Sequence, residues 1–259
     1  MVEMPAAPAT IIIPARLGST RFPRKVLADA TGWPLIRHVW HSAGRAACAD
    51  QVVIATDDRA VADLCESFGA RTVLTSVAHP NGTSRLAEAA AALSLPADRI
   101  VVNVQGDEPE IDPSIIDAAV GSLLSTGAEV ATVASPVRSP DEAVNPNVVK
   151  VVLRTDFTAL YFSRAPIPFD RAAGAGAAGP AALRHVGLYA YRVDFLTRYA
   201  ALPQTPLEQL ESLEQLRVLE HGHRIGVAIR ESSHEGIDTP EQYARFVERW
   251  KARTGPVTR

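Results

Sequence analysis

Two cysteines, Cys48 and Cys65, are all that the 259 residues carry, which excludes a disulfide framework and a thiolate metal cage. An excess of one charge sign is also missing. Lys and Arg number 26 against 29 Asp and Glu, for a net charge of −3. That balance gives no global electrostatic footprint for nucleic acid or an anionic membrane, although a local basic site remains open. No apolar run approaches the roughly 20 residues that a membrane span requires. The opening Met1–Thr10 lacks the basic-then-apolar layout of a secretion signal. A soluble, cytoplasmic protein is expected. Internal repeats and domain-separating linkers are absent as well. At 47% apolar residues the chain can bury a substantial core.

What is present is an alternation of short aliphatic runs with longer amphipathic ones. Ala9–Pro14, Val52–Thr56 and Ile100–Val104 read as buried strands, with a shorter one over Arg71–Thr75. Between them Leu35, Ile36, Val39, Trp40 and Ala43 recur at helical spacing, and so do Val61, Leu64, Cys65 and Phe68, with Gly69 placed as a C-cap. Arg85–Leu95 and Pro113–Thr126 read as further helices. Repeated β-α-β order with nearly continuous apolar strands implies an α/β fold, a mostly parallel sheet with helices on both faces. Beyond about residue 130 the pattern changes. Glu129–Val137 is strand-like, and Val148–Arg154 with Phe157–Ser163 flank Thr155-Asp156 as an inserted hairpin. Arg171–Ala182 is nearly all alanine and glycine and reads as a mobile loop. Pro206–His221 reads as one helix with Leu207, Leu210, Leu213, Leu216 and Leu219 on its inner face. Ile225–Ile229 is a late strand, and Thr239-Pro240-Glu241-Gln242 opens the last helix with a capping-box pair.

Two segments carry chemistry. The first strand ends neither in Gly-x-Gly-x-x-Gly nor in a Walker-A loop, which disfavours a dinucleotide or P-loop site. It ends in Arg16-Leu17-Gly18-Ser19-Thr20-Arg21-Phe22-Pro23-Arg24-Lys25, a cationic, glycine-containing loop where open α/β sheets bind ligands. Glycine lets backbone N–H groups approach an anion, and the cations neutralise several phosphate oxygens at once. Gln105-Gly106-Asp107-Glu108-Pro109 follows the strongest strand, and a carboxylate there can bind Mg²⁺ bridged to phosphates. Basic loop and acidic strand end together form the two halves of a nucleotidyl-transfer site.

With these stand Ala55-Thr56-Asp57, Gly82-Thr83-Ser84-Arg85 and Asn145-Pro146-Asn147-Val148-Val149-Lys150. Further on come Tyr161-Phe162-Ser163-Arg164-Ala165, Arg184-His185-Val186-Gly187-Leu188-Tyr189, Leu213-Glu214-Gln215-Leu216-Arg217 and Ile237-Asp238-Thr239-Pro240. Taken together, in this order over residues 11–240, the segments resemble the 3-deoxy-manno-octulosonate cytidylyltransferase family. That family activates the acidic sugar Kdo as CMP-Kdo, with CTP, for lipopolysaccharide assembly. The resemblance implies a three-layer nucleotidyltransferase fold over residues 10–250 as a single domain, between a disordered 1–9 and a flexible 251–259, and a homodimer.

It also implies roles. Arg16, Lys25 and Asp107 are the catalytic set. Ala15, Arg16, Gly18, Ser19, Lys25, Asp57, Arg85, Gln105 and Gly106 take the nucleotide. Arg164, His185, Tyr189, Glu214 and Gln215 match the sugar-acid pocket, and Asp107 with Asp238 match the Mg²⁺ ligands. One position departs: Thr83-Ser84-Arg85 stands where Thr-Asp-Arg or Thr-Glu-Arg is the pattern. Serine can cap a helix as the acid would, but one negative charge is gone. Arg164 and His185 would hold either a carboxylate or a phosphonate, so 8-amino-Kdo or a small phosphonate remains an alternative acceptor. A non-catalytic nucleotide-binding protein is the alternative of another class.

Overall fold

The computed structural model describes residues 7–18, 21–79, 81–171, 182–233 and 236–254. Ser19, most of the glycine–alanine loop, and residues 1–6 and 255–259 of the ends expected to be disordered or flexible lie outside the described residues, whereas Ala9 is a buried residue of the first strand and 251–254 complete the last helix. Along the chain run β1 (Ala9–Ala15), α1 (Leu35–Ala43), β2 (Ala49–Thr56), α2 (Arg59–Ser67), β3 (Arg71–Leu74), α3 (Gly82–Ala92) and β4 (Ile100–Asn103). There follow α4 (Pro113–Thr126), β5 (Val130–Pro136), α5 (Pro140–Val144), β6 (Lys150–Leu153), β7 (Ala159–Ser163) and β8 (Leu183–Arg192). The chain continues through α6 (Val193–Ala201), α7 (Pro206–Glu211), α8 (Gln215–Glu220), β9 (Ile225–Ile229) and α9 (Pro240–Thr254). These elements group into two compact units.

The N-terminal unit comprises Pro8–Pro96, Val101–Ser114 and Ser233–Arg259. Its strands run in the order β3-β2-β1-β4, with β1 and β3 both parallel to β2. Ile11, Ile12 and Ile13 are all fully buried, because helices cover both faces of the strand and leave no solvent side to alternate with. Local signals start and stop the helices. The Asp58 carboxylate accepts from the N–H groups of Ala60 (2.8 Å) and Val61 (3.1 Å) to start α2, and Gly69 turns out of it at φ +88°.

The central unit comprises Ala97–Ile100 and Ile115–Ser232. Here β5 pairs antiparallel with β8 and parallel with β9. The expected hairpin is present as β6 and β7. It turns at Asp156, whose carboxylate accepts from Thr158 N at 3.0 Å. Where β9 passes α4, a Cβ on Gly226 would sit 2.4 Å from Thr126 Oγ1 and 3.0 Å from Ser122 Oγ, so only glycine fits that crossing. The architecture is the expected α/β type, with parallel pairings and an inserted antiparallel pair.

The chain departs from the expected elements in three places. Pro206–His221 is two short helices, α7 and α8, parted by Ser212 at φ +51°. Leucines three apart fall about 60° short of a full turn at each step, so the five drift through about 240° and share no face. Leu213 and Leu216 are buried, whereas Leu210 is 81% exposed. Next, α3 begins at Gly82, ahead of the expected start at Arg85, and its cap is Asn81, whose Oδ1 accepts from Ser84 N at 2.9 Å. Ser84 is therefore not the cap; its hydroxyl donates to the Asn81 carbonyl at 3.1 Å. Finally, β8, α5 and α6 form where periodicity in the sequence marks no element.

Candidate active site

A cleft of about 540 Å³ opens in the N-terminal unit, beyond the carboxyl ends of β1 and β4. Arg16, Gly18, Arg21 and Lys25 line it from the loop after β1, and Gln105, Gly106 and Asp107 from the loop after β4. Asn81, Gly82 and Arg85 contribute the start of α3, and Asp238 the approach to α9. The two loops meet closely because residue 106 lacks a side chain: a Cβ there would stand 2.8 Å from the Pro14 carbonyl oxygen. Arg24, in the left-handed region at φ 58°, precedes a single 3-10 turn over Lys25–Leu27, which places Lys25 in the cleft.

The Lys25 ammonium donates to Asp107 Oδ2 (2.6 Å), the Ile237 carbonyl (2.9 Å) and Asp238 Oδ1 (3.0 Å). Main-chain pairing brings the two carboxylates to it, since Ile237 N donates to the Asp107 carbonyl at 2.8 Å. The capping box of α9 then sets Asp238. The side-chain carbonyl of Gln242 accepts from Asp238 N (2.7 Å) and Thr239 N (2.9 Å). Arg21 closes the group with an ion pair to Asp238 Oδ2 at 3.0 Å. Burial raises the pKa of Asp107, and the neighbouring Lys25 ammonium offsets part of that rise.

Arg16, Arg21, Lys25 and Arg85 outnumber the lining carboxylates, so a polyanion is the ligand this lining suits. Asp107 and Asp238 turn hard carboxylate oxygens toward the same Lys25 ammonium, at 2.6 and 3.0 Å, beside the Ile237 carbonyl. Two carboxylates with phosphate and water completing the shell is the donor set Mg²⁺ prefers. The residues fit that ion. No group of three or more His, Cys, Asp or Glu able to hold a metal occurs among the described residues.

Arg85 is buried, with its guanidinium bonded to Asp57 Oδ2 at 2.7 Å and to the Thr75 hydroxyl. Asp57 thus pairs with the lining residue Arg85, and Ala15 is the buried last residue of β1. Neither is among the lining residues. Arg21, Asn81 and His79 line the cleft although the sequence did not single them out as site residues. The cationic run already contained Arg21, and the Asn-Gly-Thr-Ser start of α3 is a legible cap, whereas no sequence pattern marks His79. Its ring meets the Glu88 carboxylate in a short contact.

The residues matched to a sugar acid lie in the central unit. His185 and Tyr189 are on β8 with ring centroids 5.3 Å apart. A register shift there pairs Thr132 with Tyr189 but Val133 with Val186, an irregularity that re-aims side chains. His185 Nε2 shares a 2.9 Å hydrogen bond with the Thr132 hydroxyl, and burial drives its pKa down to about 3. The imidazole is neutral at physiological pH and serves as a hydrogen-bond group rather than a cation. The Tyr189 hydroxyl is buried and has no hydrogen-bond partner among the described residues, and burial raises its pKa.

Arg164 is tied to the turn that leads into α8. Its guanidinium donates to the carbonyls of Glu211 (2.7 Å), Pro146 (2.9 Å) and Ser212 (3.2 Å). The Glu211 carboxylate accepts in return from the Ser163 hydroxyl (2.6 Å) and Arg164 N (3.0 Å). Glu214 and Gln215 follow this turn directly, and the Glu214 carbonyl accepts from the Tyr199 hydroxyl at 3.0 Å. The five residues therefore form two groups, His185 with Tyr189 and Arg164 with the segment 211–215.

Known proteins share this chain's pattern over nearly its whole length. Residues 10–225 match the family described as cytidylyltransferase. The chain is 47% identical over 253 residues to the 3-deoxy-manno-octulosonate cytidylyltransferase of Acidovorax ebreus (strain TPSY), covering 93% of this chain and 96% of that protein. It is 50% identical over 237 residues to the protein of the same name from Syntrophobacter fumaroxidans (strain DSM 10017 / MPOB), covering 91% and 94%. Among solved structures, that of CMP:2-keto-3-deoxy-manno-octonic acid synthetase complexed with CTP superposes with a TM-score of 0.87 at 39% identity. That superposition spans 95% of this chain and 100% of the other.

Proposed function

The chain belongs to the 3-deoxy-manno-octulosonate cytidylyltransferase family, and from that premise we propose that it joins CTP to Kdo, giving CMP-Kdo and pyrophosphate for lipopolysaccharide assembly. The observation that carries this reading is the meeting of Lys25 with both Asp107 and Asp238 in a cleft whose lining also holds Arg16, Arg21 and Arg85.

In this reading Arg16, Arg21 and Lys25 take the triphosphate and spread its charge, while backbone N–H groups around Gly18 and Gly106 allow close approach. Arg85, clamped by Asp57 and Thr75, forms a fixed cationic wall at the nucleotide. Asp107 and Asp238 would hold Mg²⁺, which supplies charge neutralisation at the phosphates when bound. Arg164 takes the sugar carboxylate, and neutral His185 and the Tyr189 hydroxyl read the sugar's hydroxyls. The anomeric hydroxyl attacks the α-phosphorus. A bond from that oxygen to phosphorus forms, the bond to the pyrophosphate oxygen breaks with its electron pair going to the released pyrophosphate, and the hydroxyl proton passes to solvent. No covalent intermediate on a protein nucleophile is needed, because positioning and charge neutralisation carry the catalysis.

A homodimer in the cytoplasm, where CTP is made, is part of the same proposal. Among the described residues no helix is long and apolar enough to cross a membrane. The reading is tested by pyrophosphate release with CTP, Mg²⁺ and a panel of acceptors: Kdo, 8-amino-Kdo, a small phosphonate and none. Kdo should be turned over with the highest kcat/KM. Preference for another acid would reassign the acceptor, and CTP binding without release from any would leave a nucleotide-binding protein only.

A further inference from the structure

Lys150, the first residue of β6, is completely buried, at 0% exposure. Its ammonium donates to three main-chain carbonyls, those of Val148 (2.6 Å), Arg164 (2.7 Å) and Asn145 (2.9 Å). Among the described residues no carboxylate forms an ion pair with it. Three acceptors match the three N–H bonds of an ammonium, so the group is satisfied while charged. Burial and the nearby Arg164 charge both disfavour that charge, and the Glu211 carboxylate offsets only part of their effect. A methionine would fill similar volume without the desolvation cost, so packing alone does not account for a lysine here.

What the ammonium joins is informative. Asn145 and Val148 bracket a tight turn, in which Asn147 N donates to Asn145 Oδ1 at 2.9 Å and Val148 N to the Asn145 carbonyl at 3.1 Å. Between them, the Pro146 carbonyl accepts from the Arg164 guanidinium at 2.9 Å. Arg164 is thus held at both ends: Lys150 grips its carbonyl, and the turn that Lys150 gathers grips its guanidinium. The remaining guanidinium contacts are also carbonyls, those of Glu211 and Ser212. A buried ammonium and an arginine therefore share one short stretch of backbone and leave positive charge there for an acidic ligand to neutralise.

We infer that Lys150 is a positioning residue for the acidic sugar, gathering the carbonyls of Asn145, Val148 and Arg164 so that the Arg164 guanidinium is fixed where it receives the carboxylate. The inference rests on the reading that Arg164 binds the sugar acid. It assigns a purpose to the Asn145–Lys150 segment that packing does not.

The experiment uses the full chain and measures KM for Kdo and for CTP, kcat, and thermal midpoints, in Lys150→Met, Asn145→Ala, Arg164→Ala and Lys150→Met/Arg164→Ala. Lys150→Met should raise KM for Kdo at least about tenfold with KM for CTP changed less than about twofold. Two residues that act as one unit are non-additive, so the double variant should be within about twofold of Arg164→Ala alone. Asn145→Ala loosens the same turn at an exposed position and should raise KM for Kdo by about threefold; it decides the matter if Lys150→Met fails to fold. Equal losses for both substrates, additive losses in the double variant, or an unchanged KM for Kdo in folded variants would overturn the inference while Arg164→Ala still impairs Kdo. An unchanged KM for Kdo in Arg164→Ala would overturn the site assignment itself, and the inference with it.

Discussion

The Lys25 ammonium lies 2.6 Å from Asp107 Oδ2, across the gap between the basic loop after β1 and the acidic loop after β4. With Asp238 Oδ1 at 3.0 Å, one lysine holds together two carboxylates that like-charge repulsion would otherwise separate. Three elements distant in the chain therefore meet at a single charged point, and the consequences of removing each part differ.

Asp107→Asn keeps the size and the main-chain contact to Ile237 but removes the charge. Turnover should fall at least about 10²-fold, the scale of losing one key electrostatic contact, with an unchanged circular dichroism spectrum. Near-normal turnover at saturating Mg²⁺ would mean that Asp107 is not a metal ligand.

Lys25→Ala should weaken CTP at least about tenfold, because hydrogen bonds to charged groups contribute about 1.5–3 kcal/mol, and should leave Kdo binding nearly intact. Arg164→Ala should do the reverse. Calorimetric titration of each variant with each ligand decides this; interchanged losses would show that the two subsites are exchanged.

Around α3 the structure shifts the expected stability effect from Ser84 to its true cap. Asn81→Ala should cost about 0.5–2 kcal/mol, while Ser84→Ala, which loses an exchangeable hydroxyl contact, should cost less than about 0.5 kcal/mol. Because Ser84 turns to Asn81 and is not among the lining residues, the CTP/UTP ratio of kcat/KM should stay level in Ser84→Asp and Ser84→Ala. A large change in that ratio with unchanged unfolding midpoints would make position 84 a nucleotide-specificity determinant.

His38 supplies a pH test of the core. Its ring is buried, shares a 2.6 Å hydrogen bond with the Thr31 hydroxyl, and packs edge-on against Phe246 and Trp250. Burial first, then the nearby His41 and Arg37, lower its pKa to about 4. The unfolded chain takes up this proton near pH 6.5 and the folded one only near pH 4, so stability is lost as the pH falls through that window. By pH 5 the loss from this group should reach about 2 kcal/mol. Denaturation midpoints at pH 7 and pH 5 should diverge more in the wild type than in His38→Gln, and equal slopes would show that His38 does not titrate in this way.

Much of the fold and the cationic half of the candidate site are legible in the amino-acid pattern. The runs Ile11–Ile13 and Ile100–Val102 are strands because nothing else accommodates short, doubly buried aliphatic stretches. The basic loop and Asp107 announce themselves by following strands. By contrast, β8 hides its periodicity: its buried face begins with Arg184, its other face carries His185 and Tyr189, and a register shift interrupts the alternation. The leucines of 207–219 imitate a helix face at a period that no continuous helix satisfies. The meeting of Asp107 with Asp238 depends on one main-chain hydrogen bond from Ile237, which leaves no mark on composition or spacing. Lys150 looks like an ordinary strand lysine, because its three carbonyl partners come together only through the fold.

Cytidylyl transfer to an acidic sugar is tested most directly by pyrophosphate release from CTP and Mg²⁺ as the Kdo concentration is raised, with CMP-Kdo quantified in the same samples. Release should saturate with Kdo, with one pyrophosphate for each CMP-Kdo, and should be lost in Asp107→Asn. Pyrophosphate release that is independent of Kdo, or CTP binding with no release at any Kdo concentration, would contradict cytidylyl transfer to the sugar.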